Sequence, residues 1–578
     1  MDLTTGHIER VDGPVVHVAG LPRAVSHEFV EVGEARLPGE IIALDHERAV
    51  TQVYEYTGGL TVGEPVRASG RPLSVPFGPG LLGGIYDGLL RPLDRAGNFL
   101  PPRRLIRPPV STHPFQPQVS IGQPLSEGDV VGTVGASADQ GGGVPHLVMV
   151  PPGVEGTVAS IADAGEIAST DVVATVGDTP IALTSEWPIR TPRPFESRLT
   201  ERRPFLTGQR VLDVLEPIAI GSSATVIGGF GEGKTMLLEQ IAKWGDPDII
   251  IYVGCGERGN ELADLIDELG SIVDPRTDHP LLERTIILAN TSNMPVMARE
   301  ASIYTAVTTA ECYRDMGARV VIIADSTSRW AEARRELAGR TGAIPAEQGY
   351  PADLPGSLAA FYQRAGRVRT TGGREGAVTI ITSVSPPGGD ATEPVSAHTQ
   401  RFVQAVWALD RDLAYARHYP AVNWTRSSSR DSDAIARWYA AQGDPEWAVR
   451  RARLHTLLTE ADRLQGIAEL VGLSALPTDE RITLLASRLA SDAILQQSAL
   501  SDNDASCGPS KQRALAEAVL QVYDTARELG RAGTPAAVIE AFDLGPLLRA
   551  KDTVSPDDGD GVRRIAAELI GSMRELAP

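Results

Sequence analysis

Residues 224 to 240 read Ala224-Thr225-Val226-Ile227, then Gly228-Gly229-Phe230-Gly231-Glu232-Gly233-Lys234-Thr235, then Met236-Leu237-Leu238-Glu239-Gln240. An apolar run, a glycine-rich turn and a helix-forming run in immediate succession leave few folds open. Such a strand lies in a parallel sheet covered by the helix that follows it. The central eight residues fit G-x-x-x-x-G-K-[ST] in its required strand–loop–helix context. Glycines let successive backbone N–H groups curl around phosphate oxygens without a Cβ in the way. The helix N-terminus adds its positive end. In that arrangement Lys234 reaches the β- and γ-phosphates and the Thr235 hydroxyl ligates Mg²⁺. The chain has 58 Gly and four Lys in 578 residues, so a chance match anywhere is on the order of a few in a thousand.

The surrounding pattern agrees. Apolar runs at 249–253, 285–288, 320–323 and 378–381 alternate with helical stretches, which predicts a nucleotide-binding α/β domain over 191–434. Residues 1–70 hold short strands punctuated by Gly and Pro at hairpin spacing, as in a small antiparallel β-barrel. A Gly/Pro-rich transition follows over 71–109. Residues 110–190 regain β character, with the loop Gly141-Gly142-Gly143, and read as an inserted β-rich module. From 435 to 578, Ala, Leu, Arg and Glu dominate at helical spacing, which predicts a helical domain.

Composition limits the partners. The chain carries 54 Lys plus Arg against 74 Asp plus Glu, a net charge of −20. Such a surface disfavours nucleic acid in the absence of a basic stripe, and none stands out. Only Lys234, Lys243, Lys511 and Lys551 are lysines, so each marks a position of interest. Three cysteines make neither a disulfide framework nor a zinc cluster. The first residues lack the basic flank and apolar stretch of a signal peptide, and the apolar runs are strand-sized. The expectation is a soluble, cytoplasmic protein.

Two further acids are candidates. Gly254-Cys255-Gly256-Glu257-Arg258-Gly259 spells G-x-G-x-x-G, but it follows a complete phosphate loop rather than the first strand of a dinucleotide domain. At a neighbouring strand end Glu257 is placed to polarise an attacking water. The run Val320-Val321-Ile322-Ile323-Ala324-Asp325 ends in an acid suited to holding Mg²⁺ through water, although Asp325 also fits a helix cap. The ten histidines form no H-E-x-x-H.

Taken with Ala289-Asn290-Thr291-Ser292-Asn293-Met294-Pro295, Ala324-Asp325-Ser326-Thr327-Ser328-Arg329-Trp330, Ser385-Pro386-Pro387-Gly388-Gly389-Asp390 and Tyr419-Pro420-Ala421-Val422-Asn423-Trp424, these motifs are similar to the catalytic A subunit of the V/A-type rotary ATPases over nearly the whole chain. The resemblance implies a multidomain α/β protein: an N-terminal β-barrel, an inserted β-rich bulge, a RecA-like nucleotide domain and a C-terminal helical bundle. It implies ATP or ADP with Mg²⁺, and ATP synthesis or hydrolysis coupled to proton or sodium transport. The implied partners are B subunits alternating with A in a six-membered ring, central and peripheral stalks and a membrane ion-translocating ring, at the cytoplasmic face of the membrane. By the same resemblance Lys234 binds the γ-phosphate, Thr235 and Asp325 serve the metal, Glu257 activates water, and Arg258 braces Glu257 and contacts phosphate. Tyr419 takes the aromatic position against which adenine packs.

The chain departs from the family pattern at several points. Glu232 stands where a small Ser or Cys is usual, and Glu216 where Phe is usual. Asp353 and Ser357 replace a Tyr and an Arg in the stretch 350–358, and Ser428 replaces Tyr in 423–429. The competing readings are a non-catalytic nucleotide-binding scaffold, a protein-export ATPase and a Rho-like RNA motor. Retention of Lys234, Thr235 and Glu257 argues against the first; the β insert and the acidic balance argue against the others.

Overall fold

The computed structural model describes residues 5–45, 48–93, 110–135, 144–274, 276–342 and 344–578. The Gly141-Gly142-Gly143 loop and the second half of the 71–109 transition lie outside these residues.

Six antiparallel strands close a barrel, in the spatial order Thr5–Asp12, Val15–Ala19, Arg48–Val53, Leu37–Asp45, Glu28–Val32 and Pro65–Pro72. Closure leaves no open edge, and alternating residues such as Ile8, Val16, Val18, Val30 and Val32 fill the interior. A two-stranded ribbon, Ser74–Phe77 with Ser185–Pro188, brackets the inserted module. Two four-stranded sheets make up that module and share a core around Phe115, Val131, Val158 and Val176.

The central sheet explains the strictly apolar runs. Its main path is Ser428–Ser429, Ala405–Ala408, Ser223–Ile227, Glu375–Val384, Arg319–Asp325, Ile249–Glu257, Thr285–Thr291 and Ile85–Tyr86. The strands from Ala405–Ala408 to Ile85–Tyr86 run parallel. Helices cover both faces, so residues such as Ile250, Ile251, Val321 and Ile322 are wholly buried whichever way they point. The last strand of the path comes from the transition segment, which the sequence reading leaves without strands.

The C-terminal helices, chiefly Trp447–Val471, Thr478–Ala490, Pro509–Arg531 and Gly559–Arg574, pack into one apolar core with the nucleotide domain. Buried polar links pin the junction. Arg210, fully buried, donates to Asp504 and to the Ile494 carbonyl. Glu216 is buried too, with Oε1 3.0 Å from Nε2 of His455 and Oε2 3.4 Å from Nη2 of Arg451. The acid that replaces the usual Phe is therefore matched by two basic side chains on the helix opposite.

Candidate active site

Ser223–Ile227, Glu375–Val384, Arg319–Asp325 and Ile249–Glu257 are successive parallel neighbours, so their carboxyl ends open on one edge of the sheet. Ligands of open α/β sheets bind at such an edge. The loop 228–233 leaves the first of these strands and feeds the helix Lys234–Trp244. Gly231 and Gly233 hold φ of +79° and +91°, left-handed conformations that favour glycine over any residue with a Cβ.

The loop is folded on itself. Lys234 Nζ donates to the carbonyls of Gly228 at 2.8 Å and Gly229 at 2.6 Å. Glu232 turns back to accept from the Gly229 N–H at 2.7 Å. Burial lowers the Lys234 pKa, while the carboxylates of Asp325, Glu232 and Glu257 oppose that shift and favour its charge. Phe230, at the loop tip, is 92% exposed.

Thr235 and Asp325 meet across the sheet edge, the hydroxyl donating to Oδ2 at 3.0 Å. Ser383 donates to the other carboxylate oxygen, and the Tyr252 hydroxyl lies 3.5 Å from Oδ2. A hydroxyl and an oriented carboxylate form an all-oxygen donor set, which suits Mg²⁺. Ser383 has no motif to reveal it in sequence; only the adjacency of its strand to Arg319–Asp325 brings it here.

Glu257 ends its strand half-buried beside this group. Burial first, and the Asp325 charge second, push its carboxyl up to about 8; Arg329 opposes the rise, and Glu261 adds to it. Arg329 lies close to the backbone here, since a Cβ on Gly256 would stand 3.2 Å from the Arg329 Cβ. Arg258 points elsewhere: it is 67% exposed and pairs with Glu261 at 3.8 Å. The structure thus brings Lys234, Thr235, Asp325 and Glu257 together and places Arg329 beside the glutamate. The Tyr419 ring closes the loop's other side, 3.6 Å from where a Gly233 Cβ would be, and is 45% exposed.

Four family models match the chain in order: the ATP synthase alpha/beta family beta-barrel domain over residues 8–70, the ATP synthase alpha/beta subunit barrel-sandwich domain over 110–190, the ATP synthase alpha/beta family nucleotide-binding domain over 208–429, and the C-terminal domain of V and A type ATP synthase over 436–532. The chain is 46% identical over 559 residues to the V-type ATP synthase alpha chain of Nitrosococcus oceani, spanning 94% of this chain and 93% of that one. It is 44% identical over 580 residues to the V-type ATP synthase alpha chain of an Anaeromyxobacter species, spanning 99% of each. Its fold is similar to that of the ATPase EscN of the enteropathogenic E. coli type III secretion system, with a TM-score of 0.64 at 21% identity over 90% of this chain and 100% of that one.

Proposed function

The chain belongs to the ATP synthase alpha/beta family as a catalytic A subunit of the V/A-type rotary ATPases, and from that premise we propose how its residues divide the chemistry. It binds ATP and ADP and works within a multisubunit rotary complex. Among the described residues no helix is long and apolar enough to cross a membrane. We assign its place to the cytoplasmic face of the membrane, in a ring alternating with B subunits. The ring would stand on a central stalk, be steadied by a peripheral stalk and be coupled to a membrane ion-translocating ring.

Lys234 releases the Gly228 and Gly229 carbonyls and turns its ammonium to the γ-phosphate. The amides of the loop and the first turn of the helix receive the remaining phosphate oxygens. Thr235 and Asp325 would hold Mg²⁺, which would supply neutralisation of the negative charge on the phosphates. Glu257, once ionised, accepts a hydrogen bond from the attacking water and orients it in line. Arg329 stabilises that ionised form. Arg258, freed from Glu261, is left to contact phosphate. Tyr419 offers its exposed face to adenine. Run backwards, the same arrangement holds ADP and phosphate for condensation.

The observation that carries this reading is the meeting of Thr235 with Asp325 beside Lys234 and Glu257. Lys234→Ala tests it: the variant is expected to assemble into the complex but to lose nucleotide binding at this chain and ATP turnover. Wild-type binding and turnover in that variant would refute the assignment.

A further inference from the structure

Glu232 is the departure that the structure makes specific. Its carboxylate is not in open water. Oε2 lies 2.7 Å from the Gly229 nitrogen and 2.9 Å from where a Cβ on Gly228 would stand, so the side chain lies across the first two residues of the loop. Lys234 donates to the carbonyls of the same two residues. The loop therefore carries an anion of its own, within reach of the cation meant for the γ-phosphate. On the same side, the Leu409 Cβ is also 2.9 Å from that Gly228 position, so the segment that leads into the helix Arg411–Tyr415 approaches the carboxylate. Arg411 stands at its start and donates through Nε and Nη2 to the Tyr415 hydroxyl at 2.9 and 2.7 Å. The Tyr415 hydroxyl chiefly, and the Glu232 carboxylate more weakly, favour the charged form of Arg411.

We propose that Glu232 is a tethered anion that competes with nucleotide phosphates for the loop, that it thereby selects nucleotides already neutralised by a divalent cation, and that Arg411 receives its carboxylate when nucleotide displaces it. The inference rests on the reading of this loop as the nucleotide site. Repulsion between like charges grows with the charge of the ligand, and a Mg²⁺-bound nucleotide brings two fewer negative charges than the free one. Glu232 therefore penalises free ADP more than MgADP. A carboxylate driven off the Gly229 N–H needs a new partner, and the Arg411 guanidinium, two residues on from Leu409, already feels its charge.

The test is titration calorimetry on the full chain with free ADP (in EDTA) and with MgADP, at low and high salt. Glu232→Ser and Glu232→Gln are both expected to tighten free ADP about five- to tenfold at low salt and MgADP about twofold or less, with smaller effects at high salt. The Gln variant separates charge from occupancy, because its amide oxygen still accepts from Gly229. Arg411→Ala is expected to weaken MgADP severalfold in the wild-type background and to have no such effect combined with Glu232→Ser. Unchanged affinities, or equal tightening of the two ligands, would overturn charge selection. An Arg411→Ala effect of the same size in both backgrounds would overturn the transfer to Arg411. A wild-type chain that binds neither ligand would instead sink the nucleotide-site reading, and this inference with it; loss of both ligands in Lys234→Ala alone locates binding at the loop.

Discussion

The Arg329 side chain lies against Gly256, one residue before Glu257, and its charge opposes the rise of the Glu257 carboxyl towards 8. Arg258, the immediate neighbour in sequence, is paired with Glu261 instead. The distinction has kinetic consequences, because a carboxyl must be ionised to polarise water.

In the assembled complex, kcat/KM for MgATP is expected to climb as pH rises through about 8, the value to which burial and Asp325 push Glu257 in the nucleotide-free site. Arg329→Ala removes an opposing cation, so the limb moves to higher pH. Arg258→Ala leaves it in place. Glu257→Gln keeps the shape but not the charge, so it binds MgATP and loses turnover at every pH. A limb that follows Arg258 instead would return the bracing role to that residue.

Asp213 supplies a pH dependence of stability away from the chemistry. It accepts from the Thr207 hydroxyl at 2.7 Å, the Thr207 and Gly208 amides at 3.0 and 3.1 Å, and Gln512 Nε2 at 2.8 Å. Burial outweighs those donors and pushes its carboxyl up to about 6. Its folded pKa lies above the unfolded value, so its stabilising contribution is complete below about 4 and is lost as pH rises through about 6. Asp213→Asn has no such titration and sets an amide against donors. The variant should melt lower than wild type at pH 5, by roughly 1–3 kcal/mol, and the gap should narrow by pH 7. A gap constant across that range would mean that the carboxyl is ionised throughout.

The phosphate loop is legible in sequence because strand, turn and helix are contiguous, and its glycines and lysine each answer a local need. The Thr235–Asp325 contact is not, since it depends on Glu375–Val384 lying between Ser223–Ile227, whose loop leads into the helix that carries Thr235, and Arg319–Asp325. The same holds for Ser383, a serine at a strand end with no signature of its own. In the barrel, the start of Glu28–Val32 blurs the strand pattern in sequence because the first pair, Glu28 and Phe29, is reversed. Glu28 is the buried member, accepting from the Gly70 and Val25 amides, while Phe29 is only half-buried. Ile85–Tyr86 is too short for any periodicity, and only its pairing with Thr285–Thr291 makes it a strand.

Scarcity does point to structure at Lys511. Its side chain is fully buried, and Nζ donates to the carbonyls of Asn503, Lys551 and Val554, each at 2.7 Å. An ammonium offers three donors around one atom; a planar guanidinium is larger and cannot converge on three carbonyls in that way. Lys511→Arg is therefore expected to destabilise the C-terminal helices by roughly 2–4 kcal/mol, nearly as much as Lys511→Met. Thermal melts of the full chain decide it; an Arg variant as stable as wild type would show that the pocket adapts.

The isolated chain is expected to be a poor ATPase, because the proposed chemistry calls for a further arginine at the γ-phosphate, on the solvent-facing side of the loop. Lys234 is the loop's own cation, Arg329 is beside Glu257, and Arg258 is paired with Glu261. Phe230, Met236 and Tyr419 stand exposed around the loop, leaving that side open to a neighbour. Phosphoryl transfer spreads charge over the γ-phosphate oxygens, and an arginine positioned there contributes about 10³–10⁵ in rate where one is used. By the family resemblance that arginine comes from the adjoining B subunit. Mixing the chain with its B partner should raise ATP turnover by orders of magnitude with little change in nucleotide affinity. A B variant lacking the arginine should assemble and fail to stimulate. If the purified chain, verified as a monomer, turned over ATP as fast as the assembled ring, the site would be complete within a single chain and the shared-site mechanism would not apply.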